Sequence, residues 1–123
     1  MIAHTTLQVR DYAKSKAFYL KVLEPLGYKS NMEYGESAGF NDGKNTDLWI
    51  AQAKQVVPTH LAFEAKSAAD VEAFHRAAIA AGAKDNGKAG YRPDYWPGYY
   101  AAFVHDLDGH NIEAVWYDYS KVK

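Results

Sequence analysis

His4-Thr5-Thr6-Leu7-Gln8-Val9-Arg10 returns in register as His60-Leu61-Ala62-Phe63-Glu64-Ala65-Lys66, and the helical aromatic Phe18 returns at the same offset as Phe74. A repeat of this kind sets the architecture before any single element is read, because each copy is one supersecondary unit and the copies are built alike. It also makes His4 and His60 equivalent positions. With Glu113 in the strand that closes the second copy, the matched histidines point to a metal site where two half-folds meet.

Working outward, Ile2 to Val9 alternates as a strand does, with Leu7 and Val9 on one face and His4, Thr6 and Gln8 on the other. Asp11 is placed to cap a helix running to about Leu26, with Ala13, Ala17, Phe18, Val22 and Leu26 as its apolar stripe, Pro25 near its end and Gly27 as its stop. Three short strands follow, Tyr28 to Tyr34, Ser37 to Asn41 and Thr46 to Gln52, parted by Gly35 and by the turn Asn41-Asp42-Gly43. The first βαβββ module therefore spans about 1–52, with a linker over 53–58 and a second module over about 59–117. In that second module Thr59 to Ala65 is the first strand, and Ser67-Ala68-Ala69-Asp70 opens a helix carrying Val71, Phe74, Ala78 and Ala81 and ended by Gly82. Ala83 to Gly98 must hold the next strand and a long loop, and loops of that length are more often functional than idle. Tyr99 to His105 and His110 to Tyr117 then pair around Asp106-Leu107-Asp108-Gly109. The fold class is α+β, two βαβββ modules forming a curved mixed-sheet cup in one domain.

The 123 residues suffice to bury a core without disulfides. A net charge of -1 leaves no basic surplus for nucleic acid or anionic membrane, so the expected partners are a small-molecule substrate and a second copy of the chain. There is no cysteine, so any metal must be held by nitrogen and oxygen. Met1-Ile2-Ala3-His4 leads straight into a strand, without the charged and apolar segments of a secretory signal, and a cytoplasmic location is expected. Aromatic content is high at 15%, with tyrosines crowded between Tyr91 and Tyr119, which calls for a pocket or an interface.

Each helix must cover the sheet face bearing Leu7 and Val9, or Leu61 and Phe63, so the histidines face away from the helices. On the last strand the same alternation gives Ile112, Ala114 and Trp116 to the helix side and puts Glu113 with the histidines. Two neutral nitrogens and one hard oxygen, from His4, His60 and Glu113, suit a divalent first-row ion such as Fe, Mn, Ni, Co or Zn, with positions left for water or substrate.

These residues resemble the vicinal oxygen chelate superfamily, which includes glyoxalase I, bleomycin-resistance proteins, fosfomycin-resistance enzymes and extradiol dioxygenases. The likeness covers nearly the whole chain. It rests on His4 with alternating Leu7 and Val9, the helical Phe18-Tyr19 and the following Leu26-Gly27-Tyr28, His60-Leu61-Ala62-Phe63, and above all Asp106-Leu107-Asp108-Gly109-His110-Asn111-Ile112-Glu113-Ala114-Val115. The resemblance implies a metal bound at His4, His60 and Glu113, a homodimer that builds the cup from both chains, and dioxygenase or isomerase/lyase chemistry. A metal-free, ligand-sequestering protein of the bleomycin-resistance kind is the alternative.

Around such a site Trp49 would line the cup floor, and Tyr95, Trp96, Tyr99 and Tyr100 would wall the substrate cavity or form a dimer contact. Arg92 would clamp an anionic substrate group, or else pair with Asp94 at the surface. His75 is expected to face solvent, and His105 and His110 flank a turn where polar residues are ordinary.

Overall fold

The computed structural model describes residues 1–123. The first copy of the repeat folds as β1 (Thr5–Val9), α1 (Tyr12–Val22), β2 (Lys29–Tyr34), β3 (Ser37–Asn41) and β4 (Thr46–Gln52). The second folds as β5 (His60–Glu64), α2 (Ala68–Ala80), β6 (Lys84–Asp85), β7 (Gly90–Tyr91), β8 (Tyr99–His105) and β9 (Asn111–Tyr117). One sheet runs β1-β4-β3-β2 and the other β5-β9-β8-β6, with β7 also on β8. In each sheet the first strand lies parallel to the last long one, Leu7 opposite Ile50 and Ala62 opposite Glu113, while the other pairs are antiparallel. No helix is long and apolar enough to cross a membrane.

Several element ends differ from the sequence reading for identifiable reasons. β1 starts at Thr5 rather than Ile2, because its pairing runs out opposite Leu48, where β4 is bent by an irregularity beside Phe40 and Asn41. Asp11 caps α1 by accepting from the Lys14 N–H at 3.0 Å. The helix stops at Val22 rather than Leu26, and a 3-10 turn over Glu24–Leu26 holds Pro25, whose missing N–H cannot extend an α-helix. Gly27 then takes φ 86°, a left-handed stop that favours glycine. The buried stripe of α1 is Ser15, Phe18, Tyr19 and Val22, while Ala13 and Ala17 face solvent. Between α2 and β8 the chain forms two short strands where one strand and a loop were expected.

A single cluster of 20 buried residues joins both copies. It takes Leu7, Val9, Phe40, Leu48 and Ile50 from the first sheet, Phe63, Val104, Ile112 and Ala114 from the second, and Phe18, Val22, Val71 and Phe74 from the helices. The helix-bearing faces of the two sheets thus share one core, and the opposite face of each sheet is an outer face. Polar staples lock the junction. His110 is only 1% exposed. Its Nδ1 accepts from the Thr59 N–H at 2.9 Å, so Nε2 carries the proton donated to the Gln8 carbonyl at 2.8 Å. Asp106 accepts from the buried Tyr19 hydroxyl, and Asp108 accepts from the Arg10 N–H at 2.9 Å. His110 is therefore a buried clamp rather than an ordinary turn residue. His75 is likewise not solvent-facing, since its side chain is 15% exposed and sits 3.0 Å from Asp85.

Six tyrosine hydroxyls donate to carboxylates: Tyr12 to Glu33, Tyr19 to Asp106, Tyr28 to Asp47, Tyr91 to Asp118, Tyr99 to Glu113 and Tyr100 to Glu72. Burial, then the Glu33 partner, pushes Tyr12 from the ordinary 10.0 to about 12, and the Glu72 hydrogen bond, then burial, takes Tyr100 equally high. Tyr19, Tyr28 and Tyr99 are raised chiefly by burial, and Tyr91 chiefly by its bond to Asp118. Raised phenols hold protons that the unfolded chain releases. Their contribution to stability is complete below pH 10 and is lost as pH rises through the folded values. Alkaline titration followed by tyrosinate absorbance and circular dichroism should show these six of the ten tyrosines ionising late and together with loss of structure; ionisation of all ten near pH 10 in a still-folded protein would contradict the pairing.

Candidate functional site

Glu113 sits in the middle of β9, flanked by Ala62 of β5 and Phe103 of β8. Its side chain belongs to the outer face of the second sheet yet is 2% exposed, with the His60 ring on one carboxylate oxygen and the Tyr99 hydroxyl on the other. One carboxylate oxygen lies 2.8 Å from Nε2 of His60. The other accepts from the Tyr99 hydroxyl. His60 opens β5 with its side chain 54% exposed, so a buried acid and an accessible imidazole meet at a solvent-facing point. Burial first, then the bond to Glu113 and that residue's charge, hold the Tyr99 phenol well above its ordinary range. Tyr99 stays a donor at neutral pH and fixes the orientation of the carboxylate.

The aromatic wall stands around this pair. Tyr99 packs edge-on against Tyr95 at 5.3 Å and Tyr117 at 5.6 Å, and Trp96 meets Tyr117 at 5.7 Å. Phe103 neighbours both the His60 ring, 6.4 Å away, and the Arg92 guanidinium, 5.4 Å from its centre. Tyr100 does not join them. Neighbouring strand residues point oppositely, so Tyr100 turns to the helix side, where its hydroxyl donates to Glu72 at 2.6 Å and its ring packs on Tyr91 and Trp116. Arg92 makes no ion pair with Asp94; its two terminal nitrogens donate to the Gly90 and Lys88 carbonyls at 2.8 Å each.

His4 lies on the other outer face. With Thr6, Ser37 and Trp49 it lines a hollow of about 180 Å³ on the first sheet. Trp49 stacks on Tyr34 at 6.1 Å, its indole resting over Gly39, where a Cβ would come within 3.0 Å of the ring. The structure thus joins His60 with Glu113 and sets His4 with Trp49, and no group of three His, Cys, Asp or Glu side chains within one chain is placed to hold a metal ion. Tyr99 as the partner of Glu113, together with Phe103, Tyr34 and Gly39, went unread in the sequence. The period-two alternation of β8 carried the signal for Tyr99 and Phe103, since it puts both on the face of Glu113. A larger cavity of about 580 Å³ opens elsewhere, at the unpaired edge of β5 among Leu26, Tyr28, Leu61 and Phe63, and contains neither His60 nor Glu113.

Comparison with known proteins agrees with this architecture. No curated protein matches the chain by sequence. Among solved structures, a glyoxalase/bleomycin resistance protein from Albidiferax ferrireducens is similar at 26% identity, with a TM-score of 0.80 over 93% of this chain and 96% of that one. A glyoxalase/bleomycin resistance protein/dioxygenase family enzyme from Burkholderia phytofirmans shares the fold at 17% identity and a TM-score of 0.75, covering 95% and 98% of the two chains. A lactoylglutathione lyase from Agrobacterium tumefaciens does so at 18% identity and 0.70, covering 94% and 92%. The sequence model of the Glyoxalase/Bleomycin resistance protein/Dioxygenase superfamily matches residues 1–114, and to that superfamily this chain belongs.

Proposed function

We propose that the chain is a metal-dependent enzyme that works as a homodimer and grips a small substrate through adjacent oxygens. The divalent ion, Fe, Mn, Ni, Co or Zn, would be held by His60 and Glu113 of one protomer and the partner's His4. The observation that carries this reading is the 2.8 Å approach of His60 Nε2 to a Glu113 carboxylate oxygen on an outer face. Two donors bound to one ion at roughly 2.0–2.2 Å and near a right angle stand about 3 Å apart, so the pair fits a shared cation. A second copy is supported by what each outer face exposes: Met32 at 42% and Tyr34 at 67% beside Trp49 on the first sheet, Tyr95 at 65% on the second. Setting the first face of one copy on the second face of another buries these side chains and supplies the third ligand.

When bound, such an ion supplies Lewis acidity to a coordinated oxygen and stabilises the charge that develops there. The chain's own groups do the positioning. Tyr99 holds Glu113 in place by its hydroxyl, Phe103 backs His60, and Trp49 closes the cup from the facing sheet without offering a base. Lacking that base, the site fits dioxygenase-like or lyase/isomerase chemistry other than the glutathione-dependent proton shuttle. The lack of a three-donor group within one chain favours a second reading, a metal-free binder of the bleomycin-resistance type. Metal analysis of protein purified without chelator separates them. Near-stoichiometric divalent metal that vanishes in His60→Ala is the expected result, and none under any loading condition supports the binder. Oxygen uptake by the iron-loaded protein against catechols, beside isomerisation of dicarbonyl-thiol adducts, assigns the reaction.

A further inference from the structure

We propose that Arg92 is an anion-binding subsite of the same cup, and that the substrate is a small planar carboxylate whose charged end Arg92 receives. The inference rests on that face being the substrate site. Phe103 stands directly opposite Glu113 across β8 and β9 and lies 6.4 Å from the His60 ring and 5.4 Å from the Arg92 guanidinium, so the guanidinium and the proposed metal donors border one aromatic ring.

The guanidinium is held in a built cradle. Its terminal nitrogens donate to Gly90 O and Lys88 O at 2.8 Å each, and it lies 5.4 Å from the Phe103 ring centre. Glycines keep the space open: a Cβ at Gly87 would meet Nη2 and Phe103 at 3.1 Å, and one at Gly90 would meet Nη1 at 3.3 Å. What the cradle lacks is a counter-ion. Arg92 takes part in none of the chain's ion pairs, and nearby Asp85 is already engaged by the Gly87 N–H at 2.9 Å and His75 at 3.0 Å. A guanidinium has five N–H donors in a fixed fork suited to a carboxylate. The two carbonyls leave three of Arg92's unspent, and the Phe103 ring under the guanidinium favours a flat body.

Benzoate and benzamide, matched in shape and differing in charge, test this on the protein as purified and again after chelation. Benzoate should bind roughly tenfold more tightly, with the preference lost in Arg92→Gln, reduced in Arg92→Lys, which keeps the charge without the fork, and retained in His60→Ala. Circular dichroism on each variant verifies that it is folded. Equal binding of the two compounds, binding of neither, or a preference that survives Arg92→Gln in the chelated protein overturns the subsite. Because the His60→Ala and chelated samples carry no metal, the subsite and the metal reading fail independently.

Discussion

His4→Ala and His60→Ala each abolish metal binding when prepared alone, and protein co-expressed from both recovers part of it. This is the expected result of the proposed sharing of the site between protomers. In a mixed dimer one of the two sites receives His4 from the His60→Ala chain and His60 with Glu113 from the His4→Ala chain, and is whole; the other lacks both histidines. Random assortment makes half of the dimers mixed, so about a quarter of the sites are restored. The recovered fraction, read by metal analysis, should track any recovered activity, because a site of intact composition is regained rather than many weakened ones. Metal retained in His4→Ala alone would remove that residue from the ligand set. No recovery in verified mixed dimers would place the site within one chain. A mixed dimer is needed because the inner faces of both sheets are spent on the common core, leaving the His4 and His60 faces on the outside.

Alternation reveals which residues share a face of their own sheet, and here it was nearly sufficient. Ser37–Asn41, Thr46–Gln52 and Tyr99–His105 appear as read, and His60 and Glu113 meet on the face away from the helix. Alternation says nothing about how two sheets face each other, which is why the repeat led to an expected convergence of His4 on His60 that a single chain does not display. Folding both helix-bearing faces into one core decides that question, and it is a packing outcome with no local signature. The same holds for His110. Asp106-Leu107-Asp108-Gly109 is a turn by composition, yet the end of β1 and Thr59 lie close enough to enclose the imidazole and use both its nitrogens. Tyr100 is the opposite case. Its placement beside Tyr99 in a strand already required it to leave the cup, and the density of aromatics obscured a period-two argument that was present in the sequence.

Gly98→Ala should be among the most damaging single-methyl additions in the chain. Gly98 ends the segment that joins β7 to β8, and its carbonyl accepts from the Asp118 N–H at 2.7 Å, tying the start of β8 to the end of β9. A Cβ there would lie 1.9 Å from the Asp118 carbonyl oxygen, 2.7 Å from its carbon and 2.9 Å from the Trp96 ring. Its φ is not in the left-handed region, so the whole cost is steric. Backbone atoms cannot rotate aside as a flexible side chain does, and relief requires the two strands to part where Tyr99 and Tyr117 stand opposite. A loss of about 3 kcal/mol follows from overpacking against a fixed backbone, or on the order of 10 °C in melting temperature. Gly109→Ala is the control. Gly109 has φ 87° with nothing within 4 Å of the added Cβ, so it has only the left-handed strain, about 1–2 kcal/mol. Thermal unfolding should rank Gly98→Ala well below Gly109→Ala. Metal affinity should fall with the first and hold with the second, because displacing Tyr99 releases Glu113. The reverse ranking would show that the β8–β9 junction yields readily and that Glu113 does not depend on it.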